Sequence, residues 1–383
     1  MTVNEIFQLI PENIFDDLAV ETKVDHQVKK LSGETIFKLI LFSMLNSEKL
    51  SLRVMESFLT SAKFKSFAQT ELLESKYNSI RDRICTINAA YFEKLFETIF
   101  TIYNKELQEE KSLSKTDSTY VTLAAKLFMQ GLEYGGDKNK RYIKYSIGLK
   151  GSLPCTAKVF TEQSYISEEI ALAEIINEAD WMIDSTVVFD RGLQSRNSFD
   201  KFSVNGKYFI TRANPNIQHI ATKNQQLGSK PESSTVTIID DSVGFLSNKK
   251  GKKTSFEYRI LTGTIDSSGE TICFVTNLLK EDAYTIAQWY KQRWEIEIFF
   301  KFIKQHLNVK HLVSRNENGI KVMLYMTMIL ATLIIVYKKL NNIKGFKIAK
   351  LKFEIELDNE IMKTIVVLCG GDPNKASNLW NST

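Results

Sequence analysis

Residues 167–214, SEEIALAEIINEADWMIDSTVVFDRGLQSRNSFDKFSVNGKYFITRAN, decide how this chain folds. SEEIALAEIINEAD (167–180) predicts a helix, with Ser167 as N-cap and acidic residues in its first turn. WMIDSTVVFDRG (181–192) is an apolar, β-branched run that ends in a turn, the pattern of a buried strand. LQSRNSFDKFSVNG (193–206) predicts a short helix closed by Asn205-Gly206, and KYFITRAN (207–214) a further strand. Just upstream, SLSKTDSTYVTLAAKL (112–127) opens a β-rich stretch. RYIKYSIGLKGSLPCTAKVFTE (141–162) alternates and contains Gly148, Gly151 and Pro154, which predicts two strands about a turn. Hairpin, helix, buried strand, helix and strand in that order call for a mixed sheet flanked by helices.

Working outward, residues 1–105 read as helical. FKLILFSMLNS (37–47), SLRVMESFLTS (51–61) and AAYFEKLFETIFTIYNKEL (89–107) carry apolar positions at helical spacing. Basic residues are interspersed among them, which suits either a small DNA-binding unit or an assembly unit. Residues 215–276 are rich in Ser, Thr, Gly and Lys and hold the strand-like pieces STVTIID, SFEYRILTGTI and ETICFVTN, so they read as a β-rich insertion. Its lysine-rich turn NKKGKK (248–253) is a hairpin tip or a phosphate contact. From 281 the chain returns to helix, with YKQRWEIEIFFKFIKQHL (290–307) read as one continuous helix. Val322–Tyr337, a largely apolar run of 16 residues between Lys321 and Lys338, is short of the ~20 needed to span a bilayer and predicts a buried central helix.

The 383 residues are enough for two or three domains, and 43% hydrophobic with 25% charged residues is ordinary for a globular protein. A net charge of +5 is a mild basic lean toward a polyanionic partner. Cys85, Cys155, Cys273 and Cys369 are scattered without metal-ligand spacing and read as reduced packing residues of a cytosolic protein. His26, His219, His306 and His311 are too dispersed for a zinc cluster; the last two read as surface or capping residues. The N-terminus lacks the basic and apolar segments of a signal peptide.

Within 290–307, Ile296, Phe300, Ile303 and Leu307 form a core-facing stripe. Beside it Tyr290, Arg293, Glu297 and Lys304 share a second face. An i, i+4 ion pair explains Arg293 with Glu297 but needs neither Tyr290 nor Lys304. Asp190 ends the buried strand, where sites in α/β sheets collect, and Asp117 sits in the first strand of the same stretch. Three carboxylates from three elements would make a hard oxygen site for Mg²⁺ or Mn²⁺.

The pattern Tyr290-x2-Arg293-x3-Glu297-x6-Lys304 resembles the signature of DDE transposases from bacterial insertion sequences, of the IS-four type. DST (117–119) resembles the family's first-aspartate motif, FDRG (189–192) its second, and FVTNLL (274–279) the segment ahead of the signature helix. DST recurs at 184–186, which makes Asp184 a rival, though it lies six residues before Asp190 in the same run. The resemblance implies an α/β fold: an RNase H-like mixed-sheet catalytic core (111–214 and 277–345) interrupted by the insertion 215–276, preceded by a helical DNA-binding domain (1–110) and followed by a C-terminal segment (346–383). It implies Asp117, Asp190 and Glu297 as catalytic ligands of a pair of Mg²⁺ or Mn²⁺ ions, and Tyr290, Arg293 and Lys304 as DNA contacts. Trp289 is either a packing residue or a stacking surface for a displaced base.

The implied activity is cut-and-paste transposition. Strands are cleaved at the element's ends by divalent-metal-dependent phosphoryl transfer and then joined to target DNA. The implied partners are double-stranded DNA, as terminal inverted repeats and target, and a second copy of the chain in a homodimeric paired-end complex. No membrane is involved, and the setting is the bacterial cytoplasm and nucleoid. The alternatives are an RNase H-like nuclease, or an inactive DNA-binding descendant without strand transfer.

Overall fold

The computed structural model describes residues 1–70, 74–108, 113–124, 131–133, 139–178, 185–247, 251–307, 309 and 312–373. Asp184, His311 and 248–250 of the lysine-rich turn lie outside the described residues. In chain order the elements begin with α1 (Val3–Gln8), α2 (Ile14–Thr22), α3 (Gly33–Asn46), α4 (Leu52–Leu59), α5 (Ala62–Ala68), α6 (Tyr77–Thr86) and α7 (Ala89–Leu107). Next come β1 (Leu113–Ala124), β2 (Lys140–Lys150), β3 (Leu153–Phe160), α8 (Glu168–Glu178), β4 (Thr186–Phe189), α9 (Arg196–Val204) and β5 (Tyr208–Ala213). Then follow β6 (His219–Asn224), β7 (Val236–Leu246), β8 (Tyr258–Ile265), β9 (Thr271–Thr276), α10 (Ala283–Lys291), α11 (Trp294–His306), α12 (Glu317–Leu340) and α13 (Phe346–Leu368).

The chain divides into two compact units: Met1–Gln108 with Lys126–Phe128 and Lys301–Thr383, and Glu109–Ala125 with Met129–Phe300. The first is built from helices. Ser32, Ser51 and Ser61 cap α3, α4 and α5 by accepting the backbone N–H three residues on. Its centre is α12, in which every residue from Val322 to Tyr337 is buried. Even the two tyrosines of that run have partners, Tyr325 donating to Glu93 and Tyr337 to Glu356, each at 2.7 Å. The apolar run is long enough to cross a membrane by composition, and 94% of its most apolar window is buried inside the protein.

The second unit holds a nine-stranded mixed sheet in the order β3-β2-β1-β4-β5-β9-β8-β7-β6. β1, β4 and β5 are mutually parallel, and every other neighbouring pair is antiparallel. The strands of 215–276 therefore continue the same sheet, because β9 pairs with β5. Successive side chains of a strand point to opposite faces, and β4 shows it plainly. Val187 and Phe189 join a buried cluster with Leu172, Ile175 and Ile176 of α8 and with Phe199 and Phe202 of α9. Val188 points the other way, into a cluster with Leu113, Ile210 and Phe274 and with Ala283, Ile286 and Ala287 of α10. Helices thus cover both faces, as a central parallel strand requires.

The stretch 290–307 is not one helix. α10 stops at Lys291 and α11 starts at Trp294. Between them the N–H groups of Gln292, Arg293, Glu295 and Ile296 bond three residues back, to Trp289, Tyr290, Gln292 and Arg293. These tightened turns break the 3.6-residue period. The cause is packing. α10 buries Ala283, Ile286 and Ala287 against the sheet, whereas α11 buries Ile296, Phe299, Phe300 and Ile303. Those two stripes are out of phase, and a single straight helix cannot bury both.

One enclosed ion pair ties the outer strands to α10. Arg259 of β8 donates from Nε and Nη2 to both carboxylate oxygens of Asp241 in β7, at 2.8 and 2.6 Å. Its Nη1 donates to the carbonyl of Glu281, next to Asp282, the N-cap of α10. The two side chains are 6% and 1% exposed. Removing one partner of such a pair strands a buried charge, so Asp241→Ala is expected to lower unfolding free energy by about 3–5 kcal/mol, measured by urea denaturation.

Candidate active site

β1 and β4 run parallel with Leu113 opposite Thr186 and Thr116 opposite Phe189. One residue further in the same register come Asp117 and Asp190. Neighbouring strands are about 4.8 Å apart, so the two aspartates stand side by side. Period-two alternation puts both on the face that carries Leu113, Val188 and α10. Each uses one oxygen to accept the next residue's backbone N–H: Asp117 Oδ1 from Ser118 and Asp190 Oδ1 from Arg191, both at 2.7 Å.

The third carboxylate arrives from the helix side. Arg293, in the turn between α10 and α11, donates through Nη2 to Glu297 Oε1 and lies with Nη1 3.5 Å from Asp117 Oδ2. One guanidinium therefore stands between two of the three acids named from sequence. Its pKa is raised: burial opposes the charge, but the hydrogen bond to Glu297 and the negative field of Glu297 and Asp190 outweigh it. Tyr290, at the end of α10, lies with its ring 6.0 Å from the Arg293 guanidinium carbon and 5.0 Å from the Phe274 ring. Burial pushes its phenol up to about 12, so Tyr290 is a protonated donor at neutral pH. Lys304 lies on α11 two turns beyond Glu297. Trp289 is partly buried against the α10 cluster, whereas Trp294 is 60% exposed.

Asp117 is the strained member. Burial chiefly, with the nearby charges of Glu168 and Asp190, pushes its carboxyl up to about 7 against the pull of the Ser118 N–H and Arg293. Among the described residues no three His, Cys, Asp or Glu groups are gathered closely enough to hold a metal ion as they stand. The donor chemistry nevertheless suits a hard divalent cation: carboxylate oxygens on three elements, with a positive charge already between two of them. Asp117, Asp190 and Glu297 are the carboxylates that could hold such an ion.

Several residues of the site were not singled out from sequence. Lys115, 2% exposed, donates from Nζ to Glu295 Oε2 at 2.8 Å and to the Gly151 carbonyl at 2.9 Å. Its position two before Asp117 is the signal, since that spacing fixes the same strand face. Glu168 stands at the start of α8, 3.5 Å from the Nζ of the fully buried Lys144, and its Oε1 is buried without a hydrogen-bond partner among the described residues. A Cβ on Gly192 would lie 2.5 Å from Glu168 Cγ, so the glycine of FDRG leaves room for that acid beside the Asp190 turn. An acidic first turn is explained generically by the helix dipole, which hid Glu168.

Asp117 and Asp190 thus follow the paired ends of adjacent parallel strands, and Arg293 links Asp117 to Glu297 of the following helix. The family described as Transposase DDE domain matches residues 116–333, and the chain belongs to that family. It is similar to a protein of Geobacillus stearothermophilus named as a transposase for insertion sequence element IS5377, 26% identical over 248 residues, 64% of this chain and 62% of the relative. It is also similar to a Synechocystis protein named as a transposase for element IS4SA, 27% identical over 284 residues, 69% and 75% of the two chains. A Sinorhizobium fredii protein named as transposase y4zB is 31% identical over 159 residues, 42% of this chain and 44% of its own. The chain thus spans 44% of the length of the Sinorhizobium relative and 62% of the Geobacillus relative. Among solved structures, the piggyBac transposase synaptic complex with hairpin DNA aligns over 95% of this chain and 82% of its own at 10% identity, with a TM-score of 0.46. The resemblance read from the sequence holds at the level of the family.

The raised Asp117 pKa has a consequence for stability. A carboxyl whose folded-state pKa exceeds its ordinary value of 3.8 binds its proton more tightly when folded. Stability from that proton is present below about pH 4 and is lost as pH rises toward 7. In chelator, Asp117→Asn is expected to remove a loss of about 1–3 kcal/mol between pH 4 and 8, read from urea midpoints across that range.

Proposed function

We propose that the chain is an insertion-sequence transposase that cuts and joins DNA by divalent-metal-dependent phosphoryl transfer, with Asp117, Asp190 and Glu297 as the ligands of a pair of Mg²⁺ or Mn²⁺ ions in an RNase H-like core. The observation that carries this reading is the single guanidinium of Arg293 set between Asp117 and Glu297, with Asp190 next to Asp117 in the parallel register. Three acids whose charges are offset by a movable cation are a site prepared for exchange with another cation. The strand order β3-β2-β1-β4-β5, with only β2 reversed, also fits the proposed core.

Bound ions would stabilise the attacking and leaving oxygens of the phosphodiester. The chain's own residues do the remaining work. Arg293 offers a planar fork for phosphate oxygens and Lys304 a point charge. Tyr290, kept protonated by burial, donates a hydrogen bond and is not a nucleophile. Trp289 buttresses Tyr290's helix, and the exposed Trp294 beside it offers the stacking face for an unpaired base. The helices of residues 1–110, with their interspersed lysines and arginines, would bind the terminal repeats. The working form would be a homodimer pairing two element ends, acting on the chromosome in the bacterial cytoplasm.

The test uses end-labelled duplex carrying the inverted repeats that flank the coding region. Glu297→Gln is expected to reduce Mg²⁺-dependent cleavage at least about 100-fold, beyond what loss of an outer-sphere partner costs, while gel-shift binding persists. Unchanged cleavage in that variant would remove Glu297 from the chemistry and overturn the reading. Pre-cleaved ends with a free 3′-hydroxyl then distinguish a transposase, which joins them to target, from a nuclease, which does not.

A further inference from the structure

Two contacts join β1 to the beginning of α11, and they differ in kind. The first, Arg293 to Asp117 at 3.5 Å, engages a residue proposed to carry metal and a residue proposed to carry DNA phosphate. Both partners are needed elsewhere once substrate is bound. The second, Lys115 to Glu295 at 2.8 Å, engages neither. Lys115 stands two residues before Asp117 on the same strand face, and Glu295 two before Glu297 in the first turn of α11. The Lys115 ammonium is also fixed by the Gly151 carbonyl at 2.9 Å, at the turn between β2 and β3.

We infer that Lys115 is a positioning residue for metal binding: its bond to Glu295 holds the first turn of α11 against β1, so that Glu297 stays opposite Asp117 when Arg293 leaves for DNA. This rests on the proposed function. The geometry distinguishes it from a plain stabilising pair. Glu295 is 48% exposed, so its carboxylate is solvated with or without Lys115, and a buried charge is often replaced by an apolar side chain of similar volume without loss of stability. A lysine kept there at 2% exposure fixes where a helix starts rather than whether the unit folds. Ligand sets lose function when their supporting contacts let them drift by about 0.5 Å.

The test compares full-length wild type, Lys115→Met and Glu295→Gln by thermal melting, by electron paramagnetic resonance titration of Mn²⁺ on the DNA-bound protein, and by Mn²⁺ dependence of cleavage. Lys115→Met is expected to melt close to wild type and to bind DNA in chelator as wild type does. Its Mn²⁺ dissociation constant should rise about 10- to 100-fold, the usual effect of losing an orienting partner, with the cleavage rate largely recovered at saturating Mn²⁺. Glu295→Gln, which keeps an acceptor, should fall between the two. Mn²⁺ affinities equal to wild type in both variants, or a lower rate at saturating Mn²⁺ with no shift in affinity, would overturn the assignment. Should Lys115→Met unfold, Glu295→Gln decides alone: a shifted affinity supports the tether and an unshifted one removes it. Wild type that neither binds Mn²⁺ nor cleaves would instead sink the proposed function, and the tether with it.

Discussion

Four residues of parallel pairing, Leu113–Thr116 against Thr186–Phe189, determine where Asp117 and Asp190 stand. Strand side chains alternate, so a slip of one residue would send either aspartate to the opposite face. The register is held by burial on both sides. Val187 and Phe189 are locked against α8 and α9, and Val188 with Leu113 against α10. A slip would drive Phe189 into the packing beneath α10 and turn the aspartate toward α8 and α9, and each change is opposed by overpacking or desolvation of charge. The site therefore inherits its precision from apolar packing that contains none of its chemistry.

That placement has an electrostatic cost, visible in Asp117. It is largely enclosed at the point where β4 ends and β1 continues, beside Asp190 and within the field of Glu168. Coulomb repulsion among three acids in a partly dry cleft cannot be relieved by water alone. Arg293 relieves part of it, and Lys144 does the same for Glu168 at the start of α8. The two cations are not alike. Lys144 is fully buried and also bonds the Ile166 carbonyl, so it is part of the frame. Arg293 sits in a turn between two helices and bridges carboxylates of two different elements, Asp117 and Glu297.

The elements around the site were legible from sequence where local pattern and burial agree. TVVFDRG announces a buried strand and its terminal acid because β-branched residues run unbroken into a turn. KYFITRAN, the Gly151 turn and the Asn205-Gly206 helix end follow the same logic. Gly206, at φ 65°, adopts the left-handed conformation that lets a helix close there. The break at Gln292–Arg293 has neither glycine nor proline to mark it. Its trace is a phase shift, with apolar positions at 283, 286 and 287 that fail to continue into 296, 300 and 303. That shift is invisible when only the second half is put on a helical wheel. The Lys115–Glu295 contact and the pairing of β9 with β5 link residues far apart in the chain, and no local period encodes them.

The strands of 215–276 gain a role from this arrangement. They lengthen the sheet on the side away from β1, and Arg259 carries their position to the start of α10 through the Glu281 carbonyl. At the other end of the α10–turn–α11 segment, Glu295 is bound to Lys115 on β1. The stretch that bears Tyr290 and Arg293 is thus tied to one sheet on either side, through the Glu281 carbonyl and through Glu295, two residues before Glu297. The turn between these two ties carries Arg293.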